Sequence, residues 1–412
     1  MRSESFDILI VGAGPAGIAA ACAASQGGEM SMKQSIAVVD DNPTAGGQIW
    51  RNQTNRWIDR FQWTRCRTLN ATTIFAAPQP GTLMAEDARG PLELRYERLI
   101  LATGGRERFL PFPGWTSPRV FGAGGLQAMV KSGMNITGKS VIVAGSGPLL
   151  LAVAATLRKQ GANVLLIAEQ APWEQLVPFG LHVLGDWSKV RQSIGIKARL
   201  IGVPYRTSCW PVNAVDRGSS LRVTLQSPGG QSEIACDYLA CGFFLVPNLE
   251  LAMLLGCDTQ AGRVAVDRLQ QTTVPGIYAA GEVTGIGGLD KCLIEGQIAG
   301  YAAADHPSAA ARLFRARAKS HRFAAALQRS FALREELKYL PQDPTIICRC
   351  EDIPFSRLKY YETMRDAKLQ TRCGMGPCQS RICGPVCQFL FGWQDSSVRA
   401  PIFPTMVANL GH

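Results

Sequence analysis

The chain has 412 residues, 46% hydrophobic and 18% charged, enough to bury more than one core and too long for one ordinary domain. Its net charge of +11 is scattered without a block of consecutive like charges, which excludes a basic disordered tail. No apolar run approaches the ~20 residues of a membrane helix, and the opening MRSESFDILIVGAGPAG lacks an export-signal pattern, so a cytoplasmic chain without a transmembrane segment is expected.

In chain order, residues 6–11 (FDILIV) form a short apolar run that meets Gly12, the pattern of a strand buried on both faces of a parallel sheet. A helix follows from Pro15 to about Ser25. A second strand, SIAVVDD, ends at Asp40 and Asp41, completing a β-α-β unit. Residues 52–98 predict a small meander, after which YERLILATGG brings another apolar strand up to glycines. From Gly138 the pattern begins again with KSVIVAGSGPLL, a helix to about Gln160 and NVLLIAEQ. The two glycine fingerprints start 133 residues apart. Alternating segments follow, then TTVPGIYAAGE, a last apolar strand ending at a glycine. Residues 301–340 read as helical, with Asp343-Pro344 as the break.

The predicted fold class is α/β: two Rossmann-like dinucleotide-binding domains, the second inserted in the first, plus a small helical Cys-rich module. The expected boundaries are 1–115 with 247–305 for the first domain, 116–246 for the second, 306–343 for a helical linker, 344–395 for the Cys-rich module and 396–412 for a tail.

Gly12-Ala13-Gly14-Pro15-Ala16-Gly17 fits G-x-G-x-x-G directly after a strand and into a helix. Gly12 permits the tight turn, Gly14 lets a pyrophosphate approach the backbone, and Gly17 lets helix and strand pack closely. Pro15 and Ala16 open the helix whose N-terminus favours phosphate. Asp40, 23 residues past Gly17, suits a ribose hydroxyl pair. Ala102-Thr103-Gly104-Gly105 and Ala280-Gly281-Glu282 also follow strands, so both would open at the carboxyl edge of the same sheet. The second fingerprint, Gly145-Ser146-Gly147-Pro148-Leu149-Leu150, puts Leu150 where the third glycine would stand. Glu169 ends the following strand, but a branched side chain at Leu150 disfavours NAD, and no nearby arginine suits NADP.

Thirteen cysteines, an odd number without an export signal, point to reduced thiols. No C-x-x-C occurs, and Cys236 and Cys241 read as structural thiols in strands. Six cysteines crowd between Cys348 and Cys387. Cys348-Arg349-Cys350 and Cys378 to Cys383 make C-x-C and C-x4-C, 27 residues apart, two close pairs able to supply four soft ligands. The segment FSRLKYYETMRD predicts the helix that folds the chain back between them. Gly374, Gly376 and Pro377 suit a bent loop, and Arg349, Arg372 and Arg381 would offset the charge of an anionic cluster. An iron-sulfur cluster, structural zinc and plain buried thiols all remain readings of this spacing, and Cys373 and Cys387 are alternative ligands.

GAGPAG, Asp40, GGQIWR at 46–51, ATGGRERFLPFPGW at 102–115 and GIYAAGE at 276–282 resemble the FAD domain of the two-dinucleotide-domain flavoproteins. That resemblance implies that Gly46, Gly47 and Gln48 lie along the flavin and that Glu282 holds its ribityl or pyrophosphate portion. IICRCEDI with TRCGMGPCQSRICGP is similar to the 2Fe-2S module related to bacterioferritin-associated ferredoxin, which implies Cys348, Cys350, Cys378 and Cys383 as ligands. Together with TGIGGLDKCLIEGQIAG and CGFFLVPN, most of the chain resembles the alpha subunits of opine oxidases, relatives of subunits of hydrogen cyanide synthase and of proline or hydroxyproline dehydrogenases. Cys373 and the short stretch between GGQIWR and ATGG depart from that pattern. The family implies an electron-transfer subunit in a hetero-oligomer, with FAD and a 2Fe-2S cluster, receiving electrons from a catalytic flavoprotein subunit that oxidises the carbon-nitrogen bond of an opine, imino acid or related amine. A small ferredoxin-like subunit would complete it. Other readings are a stand-alone NADH-dependent reductase and a non-enzymatic assembly or sensor protein. Nucleic acid is not expected: the basic residues of 312–338 alternate with Phe and Leu as on a docked helix. His182, His306, His321 and His412 stand in no local motif, and catalytic residues are unassigned.

Overall fold

The computed structural model describes residues 1–26, 34–184, 187–394 and 398–410. Two compact units divide the chain, one of Met1–Arg106, Val246–Ala325 and Ser396–His412, the other of Glu107–Leu245 and Ala326–Asp395.

The first unit is built on a sheet whose strands run, edge to edge, Arg67–Leu69, Ile36–Val39, Arg2–Val11, Gly90–Leu101, Thr82–Asp87 and Thr73–Gln79, with Ile277–Ala279 also pairing to Gly90–Leu101. The central strands are parallel, with Ile10 opposite both Val38 and Ile100. All three residues are buried, as an unbroken apolar run buried on both faces requires. The meander consists of the hairpins Thr73–Gln79/Thr82–Asp87 and Thr82–Asp87/Gly90–Leu101, joined to this same sheet. A short helix, Arg56–Gln62, precedes it, capped by Asn55, whose side chain accepts from the amides of Trp57 and Ile58.

The helix Pro15–Ala24 is buried from Ala16 onward. Its cover on the side away from the sheet is the helix Leu289–Ala303. A side-chain carbon at Gly296 would stand 2.2 Å from the Ala16 carbonyl oxygen, and one at Gly300 2.2 Å from that of Ala20. Glycines one turn apart therefore let the two backbones touch, and this helix is one that the sequence reading did not single out. The helix expected over 301–340 is several: Leu289–Ala303, Pro307–Ala311 and Phe314–Ser330, then a 3-10 turn at Glu335–Tyr339. The first break follows from Asp305, left-handed at φ 60, and from Pro307, which restricts His306 and lacks an amide hydrogen.

The second unit repeats the layout with a parallel sheet ordered Tyr205–Arg206, Asn163–Glu169, Ser140–Ser146, Tyr238–Phe243 and Val120–Gly122. An antiparallel sheet of Trp210–Asp216, Leu221–Ser227 and Gly230–Cys236 accompanies it. The Cys-rich segment belongs to this unit. Trp115 Nε1 donates to the Ile346 carbonyl at 2.7 Å, and the Arg349 guanidinium lies 5.3 Å from the Trp115 ring centre.

Candidate nucleotide seats and thiol centre

At the first fingerprint the glycines are demanded by backbone contact. A Cβ on Gly12 would lie 2.3 Å from the Ala102 carbonyl oxygen, and one on Gly17 1.8 Å from that of Gly12. Over Gly14 and Gly104, by contrast, a Cβ would meet nothing within 4 Å. The helix behind Gly14 has no side-chain cap and no acid in its first turn, so its N-terminal amides present positive charge outward. Asp40 is buried, with one carboxylate oxygen accepting from the Ala13 amide at 2.5 Å and the other from Asn42 N and Nδ2 at 2.8 and 2.9 Å.

The remaining residues expected at this seat gather around it. The Gly46 amide donates to the Ala13 carbonyl at 2.8 Å, and a Cβ on Gly47 would stand 3.1 Å from Gly14 Cα, while Gln48 is exposed beside them. Thr103 spends its hydroxyl on the Asn248 carbonyl at 3.0 Å, and Asn248 Nδ2 returns a bond to the Thr103 carbonyl at 2.8 Å; this pair anchors the loop carrying Gly104. A Cβ on Gly281 would press on that of Ala16 at 2.8 Å. Glu282 accepts from the amides of Gly287 and Gly288 at 2.9 and 3.0 Å. Burial pushes its pKa up, against the pull of Lys291 and those two amides.

Behind this loop lies a buried network that the sequence reading missed. Lys291, 3% exposed, donates to the Gly281 carbonyl, Thr284 Oγ1 and Glu295 Oε2 at 2.9, 2.7 and 2.7 Å. Glu295, fully buried, also accepts from the Gly281 amide at 3.0 Å and bonds His321 Nε2 at 2.7 Å. Burial opposes its charge, yet Lys291, His321 and Thr284 hold its pKa below the ordinary carboxylate value. The i, i+4 spacing of Lys291 and Glu295 was the available signal. Of the other histidines, His182 is exposed and His306 partly buried, and His412 lies outside the described residues.

The second fingerprint has a different surrounding. Gly147 is faced by the Phe244 ring, 3.2 Å from where a Cβ would stand. Ser146 Oγ donates to the Phe331 carbonyl at 3.1 Å, and Gln170 Nε2 donates to Ser146 Oγ and the Ala332 carbonyl at 2.9 and 3.1 Å. Phe331, Leu327 and Ala171 form a small apolar core with Phe179 and Phe244 against it. Glu169, the ribose candidate, has no exposure. It accepts from the Gly147 and Ala171 amides at 2.8 and 2.9 Å, and burial raises its pKa to about 7. Leu150 is itself core.

In the Cys-rich segment the expected return helix is displaced. Residues 355–357 form only a 3-10 turn, and the helix is Met364–Thr371. It starts where Thr363 Oγ1 caps the Asp366 amide at 3.1 Å, the first strong N-cap in the segment. The sulfurs of Cys348, Cys373 and Cys383, all buried, lie within 4.8 Å of one another. The Cys373 and Cys383 thiols hydrogen-bond toward Cys348 and pull its pKa well down, while theirs are pushed up in return. Cys387 adjoins Cys373. Cys350, exposed, and Cys378, partly buried, hydrogen-bond to each other outside that triad.

The four expected ligands thus occupy one neighbourhood, with Cys373 among them. A Cβ on Gly376 would stand 2.3 Å from that of Cys350, so the bare glycine lets the two cysteine arms close on each other. Two of the arginines expected to offset a cluster have other partners: Arg372 Nε donates to Glu351 at 2.8 Å and Arg349 stacks on Trp115. Arg381 reaches the Cys378 carbonyl at 3.4 Å. Cys236 and Cys241 are buried in separate sheets, and burial raises both thiols.

Residues 6–305 match the family model described as pyridine nucleotide-disulphide oxidoreductase. The first subunit of opine oxidase from Agrobacterium tumefaciens (strain Ach5) is 28% identical, over 100% of this chain and 92% of that one. Hydrogen cyanide synthase subunit HcnB of Pseudomonas protegens is 28% identical, over 93% and 91%. Among solved structures, L-proline dehydrogenase from P. horikoshii superposes with a TM-score of 0.66 at 19% identity, over 100% of this chain and 80% of that one, a likeness of fold.

Proposed function

The chain belongs to the pyridine nucleotide-disulphide oxidoreductase family as an FAD-dependent oxidoreductase subunit, and from that premise we propose that it is the electron-transfer subunit of a heteromeric opine or amino-acid oxidase or dehydrogenase. The observation that carries this reading is the pairing of one open glycine seat at Gly12–Gly17 with a buried gathering of thiols. FAD supplies two-electron chemistry and a 2Fe-2S cluster one-electron chemistry, so a chain holding both can join an amine oxidation to a one-electron acceptor.

Each residue set has a definite task in this reading. The amides behind Gly14, Pro15 and Ala16 bind the pyrophosphate, Gly12 and Gly17 keep the seat compact, and Asp40 takes a ribose hydroxyl by exchanging its bond from Ala13. Gly46, Gly47 and Gln48 with Thr103 and Gly104 wall the flavin, and Gly281 and Glu282 close on its ribityl side. Cys348, Cys350, Cys378 and Cys383 hold the cluster. Lys291 and Glu295 fix the carbonyl and amide of Gly281, which keeps that loop from moving under the flavin. A partner flavoprotein subunit carries out the carbon-nitrogen oxidation, with a small ferredoxin-like subunit receiving electrons, and the assembly is cytoplasmic. Among the described residues, no helix is long and apolar enough to cross a membrane.

NADH as direct donor is disfavoured by Phe244 over Gly147 and by the sealed Glu169. The test is anaerobic purification with the co-expressed neighbouring subunit, counting flavin, iron and sulfide, then adding opines, imino acids and related amines while following both chromophores. Substrate-driven bleaching of flavin and cluster is expected. A colourless complex, or flavin reduction by NADH alone at a faster rate than by any amine, would overturn the reading.

A further inference from the structure

Six thiols lie between residues 348 and 387, two more than a four-thiolate cluster takes. Their arrangement is uneven. Cys350 is exposed and Cys378 partly so, whereas Cys373 is fully buried, with its sulfur within 4.8 Å of both Cys348 and Cys383. Two sulfurs sharing one tetrahedral metal at bonds of about 2.3 Å stand about 3.8 Å apart, so Cys373 is within roughly an ångström of a bonding arrangement with either neighbour.

The local backbone directs Cys373 inward. The helix Met364–Thr371 ends at Arg372, left-handed at φ 67. That turn brings the Cys373 amide to Thr371 Oγ1 at 3.2 Å and sends the next residue, Gly374, into a slot where a Cβ would stand 2.8 Å from Met364 Cε and 2.9 Å from Ser380 Oγ. The side chain between them therefore has one direction to take, into the core that Cys348 and Cys383 share.

We propose that Cys373 is a reserve ligand of the cluster: when the Cys350 sulfur leaves its iron, the Cys373 sulfur takes the vacated position. One iron-sulfur bond breaks and another forms, the departing Cys350 thiolate accepts the proton given up by the Cys373 thiol, and the iron keeps its oxidation state. The exposed arm of the site can then be lost without losing the metal. This inference rests on the reading of the segment as a cluster site.

The experiment compares the full chain with its Cys373→Ala, Cys350→Ala and Cys350→Ala/Cys373→Ala variants after anaerobic reconstitution with ferrous iron and sulfide. Iron and sulfide per chain, the visible spectrum and thermal unfolding are read for each. The unchanged chain and Cys373→Ala should carry the same cluster with the same spectrum. Cys350→Ala should keep its iron with a shifted spectrum, and the double variant should lose it while remaining folded. An iron-free Cys350→Ala beside an iron-bearing unchanged chain overturns the reserve ligand alone, as does iron retained in the double variant. An unchanged chain that takes up no iron ends the cluster reading and the inference with it. Should Cys350→Ala fail to fold, Cys350→Ser replaces it with the same outcomes.

Discussion

The two dinucleotide folds of this chain share a strand-glycine-helix plan and differ in what faces the glycines. In the first, Gly17 lies against the Gly12 carbonyl and the space over Gly14 is open. In the second, Leu150 fills the third position, Phe244 covers Gly147, and Ser146 is bonded to the Phe331 carbonyl. Each fold also buries an acid, but Glu295 has Lys291 beside it, whereas Glu169 is held by two amides. A duplicated plan can thus keep one seat for a ligand while side chains of the same unit occupy the other.

The largest effect is expected at Gly17. Gly17→Val places side-chain carbon on the Gly12 carbonyl, and flavin per chain, read by absorbance after denaturation, should fall by about tenfold or more. Retention of flavin would break the contrast at its first term. Next is Lys291→Met, which strands Glu295 without its cation. Denaturant unfolding should show a loss of about 3–5 kcal/mol, partly recovered by adding Glu295→Gln.

Leu150→Ala sharpens the other half of the comparison. A cavity in the core should cost about 2–5 kcal/mol, yet stopped-flow mixing with NADH should still leave the flavin oxidised, because Phe244 remains over Gly147. Rapid bleaching in this variant would mean that Leu150 alone closes the seat.

The smallest effect concerns Glu169. Its pKa is raised from 4.5 to about 7 by burial, so the folded chain holds this proton more tightly than the unfolded chain. The stability it contributes is complete below about pH 4.5 and is lost as the pH rises toward about 7, a change of about 3 kcal/mol. Glu169→Gln should flatten that part of the stability profile, measured by unfolding across the same pH range. An unaltered slope would show that Glu169 does not titrate there.

Much of the architecture was readable from local pattern. The strand of residues 6–11, the helix after Pro15 and the restart at Gly138 follow from apolar runs meeting glycines, since buried parallel strands need both faces apolar. The helices after residue 289 were harder to read. Leu289–Ala303 has apolar and polar residues mixed around its surface because Lys291 and Glu295 are buried as a pair, and such pairing hides helix periodicity. The return helix of the thiol segment was placed too early because Thr363 as a cap outweighs the weak pattern of residues 355–362.

Spacing alone determined that this chain carries two glycine turns behind strands and a late crowd of cysteines, since turn geometry and side-chain chemistry are properties of a few consecutive residues. Which thiols would meet, which fingerprint would stay open and which acid would find a cation were decided only by folding. Those outcomes depend on residues far apart in the chain, such as Phe331 with Ser146 or Cys373 with Cys348, and no local pattern encodes the distance between them.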